Sequence, residues 1–159
     1  MRPASASGSS VSSARLGHQR RSRRLARTAP GSGGDPHLSR EHGTCGACTV
    51  IVDGAAVHTC LMLTVQAEGA SIVTIEGLSS DEALSPLQTA FRKHHALQCG
   101  FCTPGVLTTA HALLTEEPDA DADRIRSALS NNLCRCTRHI LYVAAVLQAR
   151  SGYRKTDKP

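Results

Sequence analysis

The amino-acid sequence predicts an α+β fold, in which a small β-rich unit over residues 37–78 precedes a bundle of four short helices over residues 80–152. Three observations lead to this prediction. Runs of β-branched residues lie in the first range, apolar residues at helical spacing fill the second, and seven cysteines divide three and four between them. A core built from so few residues is only marginally stable alone, so a metal or a partner is expected to contribute to the stability of the fold.

The β-rich unit starts with a predicted hairpin. Residues 49–52 read Thr-Val-Ile-Val and predict a strand, Asp53-Gly54 is typical of a type I′ turn, and residues 55–59 return as the second strand. Residues 71–75 form another β-branched run, which predicts a further strand that ends before Gly77. We therefore expect a small sheet in this part of the chain.

Four helices are predicted to follow. The first covers about residues 84–95, with Pro86 in its first turn, and the second starts at Thr103 as N-cap and ends before Pro118. Asp121 is the expected cap of the third helix. The predicted core-facing stripes are Val106, Leu107, Ala110, Leu113 and Leu114 in the second helix, Ile125, Ala128 and Leu129 in the third, and Ile140, Val143, Ala144 and Leu147 in the fourth.

The excess of positive charge lies at the start of the chain. Residues 1–40 hold eight of the 18 basic residues and one of the 13 acidic residues, so the remainder is slightly acidic. A nucleic-acid-binding protein would carry basic residues over a folded face, with aromatic residues for stacking, and only 3% of the residues here are aromatic. We therefore exclude nucleic acid as a partner.

The two ends of the chain have compositions that differ from the folded part. Residues 1–36 are rich in Ser and Arg and have no hydrophobic period, which predicts a disordered segment, and residues 153–159 are expected to be a short tail. No apolar stretch is long enough for a secretory signal or a membrane span. We therefore expect a cytoplasmic protein, whose reducing surroundings favour metal binding over disulfides.

The second half of the chain contains four cysteines in two close pairs. Cys99 and Cys102 are separated by two residues, and 31 residues later Cys134 and Cys136 are separated by one. Four thiolates are what a [2Fe–2S] cluster needs, and a Cys-x2-Cys pair just before a helix can chelate one iron. Zinc sites are also built from two cysteine pairs, although a single intervening residue is uncommon in them.

The first half contains only three cysteines. Cys45, Cys48 and Cys60 fit part of the plant-type cluster spacing, Cys-x4-Cys-x2-Cys followed by a fourth cysteine. The missing ligand falls at Arg40, which is permanently protonated and has no lone pair to give a metal. These three cysteines alone cannot form a normal four-thiolate site.

At this point the chain resembles a known family. The motifs that carry the resemblance are Thr44-Cys45-Gly46-Ala47-Cys48, Pro86-Leu87-Gln88, Gln98-Cys99-Gly100-Phe101-Cys102-Thr103-Pro104-Gly105 and Asn132-Leu133-Cys134-Arg135-Cys136-Thr137. They are similar to the small subunit, with two [2Fe–2S] clusters, of the molybdenum hydroxylases of the xanthine dehydrogenase, aldehyde oxidase and carbon monoxide dehydrogenase type. The resemblance extends over about residues 37–150.

The resemblance implies a fold, a set of ligands and two partners. The fold would be a truncated plant-type ferredoxin (β-grasp) unit followed by a four-helix [2Fe–2S]-binding bundle. The implied metal ligands are Cys45, Cys48 and Cys60 for an outer cluster and Cys99, Cys102, Cys134 and Cys136 for an inner one. Gln98 and Cys136 would contact the molybdopterin cofactor of a large partner subunit, and a medium subunit would bind FAD.

The implied role is electron transfer from molybdenum towards the flavin, with no catalytic residue in this chain. The alternative is a zinc-stabilised or degenerate interaction module without a redox role. Two departures from the family pattern motivate it: the opening hairpin of the ferredoxin unit is not recognisable in residues 1–36, and Arg40 replaces a ligand. A third departure is that Asn131 and Arg138 stand where the family usually has glycine. We therefore expect the outer cluster to be absent or labile, and residues 40–78 to be less stable than the bundle.

Overall fold

The computed structural model describes residues 37, 39–79, 83–137 and 139–154. The segment 1–36, Arg138 and most of the tail lie outside these residues, so the predictions made for them stay predictions. Within the described ranges the chain forms one three-stranded antiparallel sheet and four α-helices. This agrees with the α+β class that the sequence predicts.

The sheet has the strand order β2-β1-β3, with β1 at Thr49–Val52, β2 at Ala55–His58 and β3 at Ile72–Val73. The predicted hairpin is confirmed. Thr49 pairs with His58, and the turn has φ angles of 48° at Asp53 and 90° at Gly54, as a type I′ turn requires. The third strand is shorter than the predicted 71–75, because Ile75 already starts a 3-10 turn that runs to Leu78.

The first helix, α1, runs over Pro86–Lys93 and begins with a capping box between Ser85 and Gln88. The Ser85 side chain accepts from the Gln88 backbone N–H, and the Gln88 side chain accepts from the Ser85 N–H. The helix ends earlier than the predicted residue 95, because His95 adopts a left-handed conformation with a φ of 50°. Pro86 lies in the first turn, as predicted.

The second helix, α2, runs over Thr103–Glu116 and carries the predicted stripe in its buried face. Its N-cap is Cys102, one residue before the predicted cap Thr103. Thr103 is therefore helical, and its buried hydroxyl has no hydrogen-bond partner among the described residues. The prediction was wrong because Pro is tolerated throughout the first turn, so Pro104 does not fix the cap to the residue before it.

The third and fourth helices, α3 at Ala122–Leu129 and α4 at Ile140–Ala149, complete the helical part. Asp121 caps α3 as predicted, since its carboxylate accepts from the Arg124 N–H at 2.8 Å. The predicted face of α4 is only partly right. Val143 is buried, but Ile140 is 73% exposed. The residues of α4 that are buried in the core are Tyr142, Val143, Ala145, Val146 and Ala149.

The four helices share one core, and α2 also packs against the sheet. Phe91 of α1 stacks on Tyr142 of α4 with 5.5 Å between the ring centroids. Other side chains that are almost fully buried include Leu87, Val106, Leu114, Ile125, Leu129 and Val146. Burial of each large aliphatic side chain contributes about 1.5–3 kcal/mol relative to exposure, so this core holds the helices that position the cysteines.

The sheet and the helical part are connected by two hydrogen bonds to main-chain carbonyls and by one close backbone contact, and we call this connection the joint. The Leu133 N–H donates to the Cys45 carbonyl at 2.8 Å, and the buried Asn132 side chain donates to the Gly46 carbonyl at 3.0 Å. A Cβ atom at Gly105 would lie 2.2 Å from the Gly46 oxygen, so α2 approaches this loop as closely as only glycine permits. The joint brings the two cysteine-bearing parts of the chain together.

Candidate functional site

Four cysteines lie on two loops that lead into α2 and α4, and we call them the inner set: Cys99, Cys102, Cys134 and Cys136. Cys102 is the N-cap of α2, and Cys136 lies four residues before the first residue of α4. The two loops face each other because α2 and α4 belong to the same core. The sequence predicts these residues as metal ligands, and the fold brings their sulfurs together.

The sulfurs of the inner set pair between the two loops rather than within each loop. The Cys99 and Cys136 sulfurs are 3.6 Å apart. Cys102 and Cys134 form the second pair, because both sulfurs lie within 3.2 Å of the Tyr142 hydroxyl oxygen and each thiol shifts the pKa of the other. The sequence suggests that the Cys-x2-Cys pair chelates one iron, whereas this arrangement gives each pair one sulfur from each loop.

The two pairs differ in exposure. Cys102 is buried and Cys99 is exposed, while Cys134 and Cys136 are both partly buried. We call Cys102 and Cys134 the inward pair, and Cys99 and Cys136 the outward pair. One side of the inner set therefore faces the core and the other faces the protein surface.

The inward pair is surrounded by hydrogen-bond donors. The Cys134 sulfur receives the Thr137 N–H at 3.4 Å and the Tyr142 hydroxyl at 3.2 Å, and the Thr137 hydroxyl lies 3.3 Å away. The Tyr142 oxygen is also 3.1 Å from the Cys102 sulfur. Donors of this kind stabilise negative charge on sulfur, which every metal-bound thiolate carries.

These surroundings separate the pKa values of the two inward thiols. Burial would raise the pKa of Cys134, but the hydrogen bonds from Thr137 and Tyr142 outweigh it and lower the pKa to about 7. Burial raises the pKa of Cys102 to about 11, although the hydrogen bond with Tyr142 opposes the rise. Since metals bind the thiolate form, Cys134 is the more readily ionised of the two inward thiols.

The other three cysteines, Cys45, Cys48 and Cys60, are all buried at one end of the hairpin, and we call them the outer set. The register of β1 and β2 places Cys48 opposite Thr59, whose N–H donates to the Cys48 carbonyl, so the next residue, Cys60, lies beside Cys48. Burial raises the pKa of Cys60, to which a hydrogen bond with Cys48 adds. The Gly43 N–H donates to the Cys60 sulfur at 3.3 Å.

Two further residues were singled out in the sequence, Arg40 at the position of a missing ligand and Gln98 as an implied contact of the molybdopterin cofactor. Arg40 is exposed, and its guanidinium offers the outer set no fourth ligand. Gln98 is exposed beside the outward pair, and its side-chain amide lies 3.5 Å from the Cys136 carbonyl. Three exposed apolar side chains, Leu97, Phe101 and Leu133, belong to the same two loops.

The donor set of the inner cysteines fits a two-iron cluster better than a single ion. One zinc ion would draw all four sulfurs to about 3.8 Å from one another, as tetrahedral bonds of about 2.3 Å require. No group of three or more His, Cys, Asp or Glu side chains in the described part of the chain forms a site for one metal ion. Two sulfur pairs, with a partnerless Thr103 hydroxyl beside Cys102, match two irons that each take two thiolates.

Sequence reasoning missed two residues of this region. Tyr142 contacts both inward sulfurs, and Asn132 joins the two cysteine-bearing parts. Tyr142 follows Cys134 by eight residues and is one of only two tyrosines, but its spacing does not match the apolar stripe first assigned to α4. The adjacent His94 and His95 lie at the end of α1, where His94 bonds to Gln148.

Comparison with known proteins identifies the family. Residues 74–147 match the model of a [2Fe-2S] binding domain. The nicotine 6-hydroxylase small subunit of Paenarthrobacter nicotinovorans is 57% identical over 112 residues, which are 70% of this chain and 67% of that subunit. The xanthine dehydrogenase iron-sulfur-binding subunit of Escherichia coli O157:H7 is 47% identical, over 66% of this chain and 67% of that one.

A solved structure is similar over most of the chain. Quinoline 2-oxidoreductase from Pseudomonas putida 86 superimposes with a TM-score of 0.81 at 43% sequence identity, and the match covers 89% of this chain and 88% of that one. Both the cysteine motifs and the fold therefore point to the same group of proteins. The chain belongs to the small iron–sulfur subunits of the molybdenum hydroxylase family.

Proposed function

We propose that this chain is the electron-transfer subunit of a molybdopterin-dependent hydroxylase or dehydrogenase and passes electrons from the molybdenum site towards a flavin subunit. The observation that carries the proposal is the meeting of the four inner cysteines as two sulfur pairs, each made from both loops. Family membership supports the same role. The chain itself then needs no acid, base or nucleophile, since substrate chemistry belongs to the partner subunit.

Cys99, Cys102, Cys134 and Cys136 would hold the inner [2Fe–2S] cluster. The outward pair would bind one iron and the inward pair the other, because each pair already brings one sulfur from each loop. A bound cluster of this type takes up and releases one electron at a time. The chain contributes the thiolates, the hydrogen bonds to them, and a core that excludes water from the inward side.

The outward pair faces the surface on which we place the molybdopterin subunit. Gln98 and Cys136 lie together there and would contact the pterin, as the family resemblance implies. Leu97, Phe101 and Leu133 are between 43% and 59% exposed beside them. Exposed apolar side chains grouped around a polar site are typical of a surface that a partner covers.

The sheet part, residues 37–78, would correspond to part of a plant-type ferredoxin domain, and residues 80–152 to the helical cluster-binding domain. Cys45, Cys48 and Cys60 would be ligands of an outer cluster that faces an FAD-binding subunit. With Arg40 at the fourth position, this outer cluster would be labile or absent. Cytoplasmic location is part of the proposal, because seven free cysteines stay available to metals only where thiols are kept reduced.

Anaerobic reconstitution with iron and sulfide, followed by analysis of both elements, tests the proposal. We expect about two irons and two sulfides per chain, with visible absorbance and a paramagnetic reduced state. Cys134→Ser should lose this signal, whereas Cys48→Ser, which alters only the outer set, should keep it. A colourless wild-type chain that binds zinc instead of iron would support the zinc-stabilised module and contradict the proposal.

No helix among the described residues has the length and apolar character needed to cross a membrane.

A further inference from the structure

Tyr142 occupies a position that its role in the core does not explain. It lies on α4 with 1% of its surface exposed, and its ring stacks on Phe91. Its hydroxyl oxygen is 3.1 Å from the Cys102 sulfur and 3.2 Å from the Cys134 sulfur. The phenol therefore reaches the inward pair from the core side and contacts one sulfur from each loop.

The hydrogen bonds among the Tyr142 hydroxyl and the Cys102 and Cys134 sulfurs change when the sulfurs bind metal. In the metal-free chain the Cys102 S–H can donate to the phenol oxygen while the phenol donates to Cys134. Once both sulfurs are thiolates bound to iron, both are acceptors only. The phenol then has one proton and two acceptors, and its ring is held against Phe91, so the proton stays directed at the inward pair.

We propose that Tyr142 is a positioning residue of the electron-transfer site, which donates its hydroxyl proton to the inward sulfur pair and thereby raises the reduction potential of the bound cluster. This inference rests on the proposed function, since it assumes that the inward pair binds iron. The physical reason is that the reduced cluster carries one more negative charge than the oxidised one. A hydrogen bond to sulfur therefore stabilises the reduced state more.

The test compares two phenol deletions in the full-length chain. Tyr142→Phe keeps the ring and its stacking on Phe91 but removes the hydroxyl. Tyr153→Phe is the matched control, because Tyr153 is the other tyrosine of the chain and its hydroxyl bonds to His111 at 2.6 Å. Both variants and the wild type are reconstituted anaerobically, and iron, sulfide, melting temperature and reduction potential are measured.

We expect Tyr142→Phe to retain the iron and to have a more negative potential. A lost hydrogen bond that changes the reduction equilibrium up to about tenfold corresponds to a shift of up to about 59 mV for a one-electron couple. Tyr153→Phe should leave the potential at the wild-type value. A Tyr142→Phe protein with full iron and an unchanged potential would overturn the inference and leave the proposed function intact, whereas a wild-type chain without iron would overturn the proposed function.

A second measurement tests the same inference in case the Tyr142→Phe chain fails to fold or to bind iron. In the Tyr153→Phe background Tyr142 is the only tyrosine, so growth on 3-fluorotyrosine labels this position alone. The fluorinated phenol is a stronger hydrogen-bond donor of nearly the same size. We expect the potential to shift in the positive direction, and no shift in this chain would contradict the inference.

Discussion

Asn132 connects the two cysteine sets through one buried side chain. It is 1% exposed, its amide group donates to the Gly46 carbonyl, and its side-chain oxygen has no partner among the described residues. The sequence identifies Asn132 only as part of a motif. Its structural role could not be predicted, because it depends on a contact between residues that are 86 positions apart.

Replacement of this side chain should weaken the whole fold. Asn132→Ala removes one donor to the Gly46 carbonyl, which keeps the N–H and the hydroxyl of Thr49 as donors, so we expect a loss of about 0.5–1.5 kcal/mol in the free energy of unfolding. Urea denaturation of the metal-free chain measures it. The neighbouring Asn131 is exposed, so Asn131→Ala is a matched control that should change stability by less than about 0.5 kcal/mol. Equal losses in the two variants would argue against this role.

The same division between local and long-range information holds for the inner set. The spacing of the four cysteines indicates a cluster-binding site, because that spacing is a property of short segments. Which sulfur lies next to which depends on how two loops meet across 31 intervening residues. The pairing of Cys99 with Cys136 was therefore not foreseen.

Elements were predictable where their ends depend on local chemistry. The Asp53-Gly54 turn and the Asp121 cap are where the sequence places them, because each needs only neighbouring residues. The orientation of α4 was not, since this helix has apolar residues on every side and offers no periodicity to follow. Ile140 consequently lies in an open apolar groove, while Tyr142 is in the core.

The cap of α3 provides a prediction at the scale of one element. Asp121→Ala removes the carboxylate that accepts the Arg124 N–H, and a lost N-cap costs about 1 kcal/mol. Thermal unfolding should show a lower melting temperature for this variant. Asp123→Ala is the matched control, because its side chain is 90% exposed and forms only a surface ion pair with Arg126. A larger effect at Asp123 would be evidence against capping as the dominant role.

At the scale of the whole molecule, the outer set limits what the chain can do. Three buried cysteines meet beside the hairpin, but the fourth position of the plant-type spacing is Arg40. Without a stable outer cluster, an electron that reached the inner set would have no second cluster to move to. The fold of the described residues does not compensate for this change with another cysteine, since all seven belong to the two sets.

Arg40→Cys should complete the outer set. Because this variant supplies a fourth thiolate at the family spacing, we expect the iron content after reconstitution to rise from about two towards four per chain, with a second paramagnetic signal. Ser39→Cys adds the same thiol one residue away, at a position that is also exposed, and should leave the iron content near two. Unchanged iron in Arg40→Cys would show that the outer set needs more than a ligand.

The joint between the sheet and the helices affects the rate at which an electron could pass between the inner and outer sets. Cys45 and Leu133 are joined main chain to main chain, and Gly46 and Gly105 leave no room for a side chain between them. Electron transfer slows steeply as the distance between two centres grows. In this fold the distance between the inner and outer sets of sulfurs is set by main-chain atoms in contact, so substitutions elsewhere on the surface would leave it unchanged.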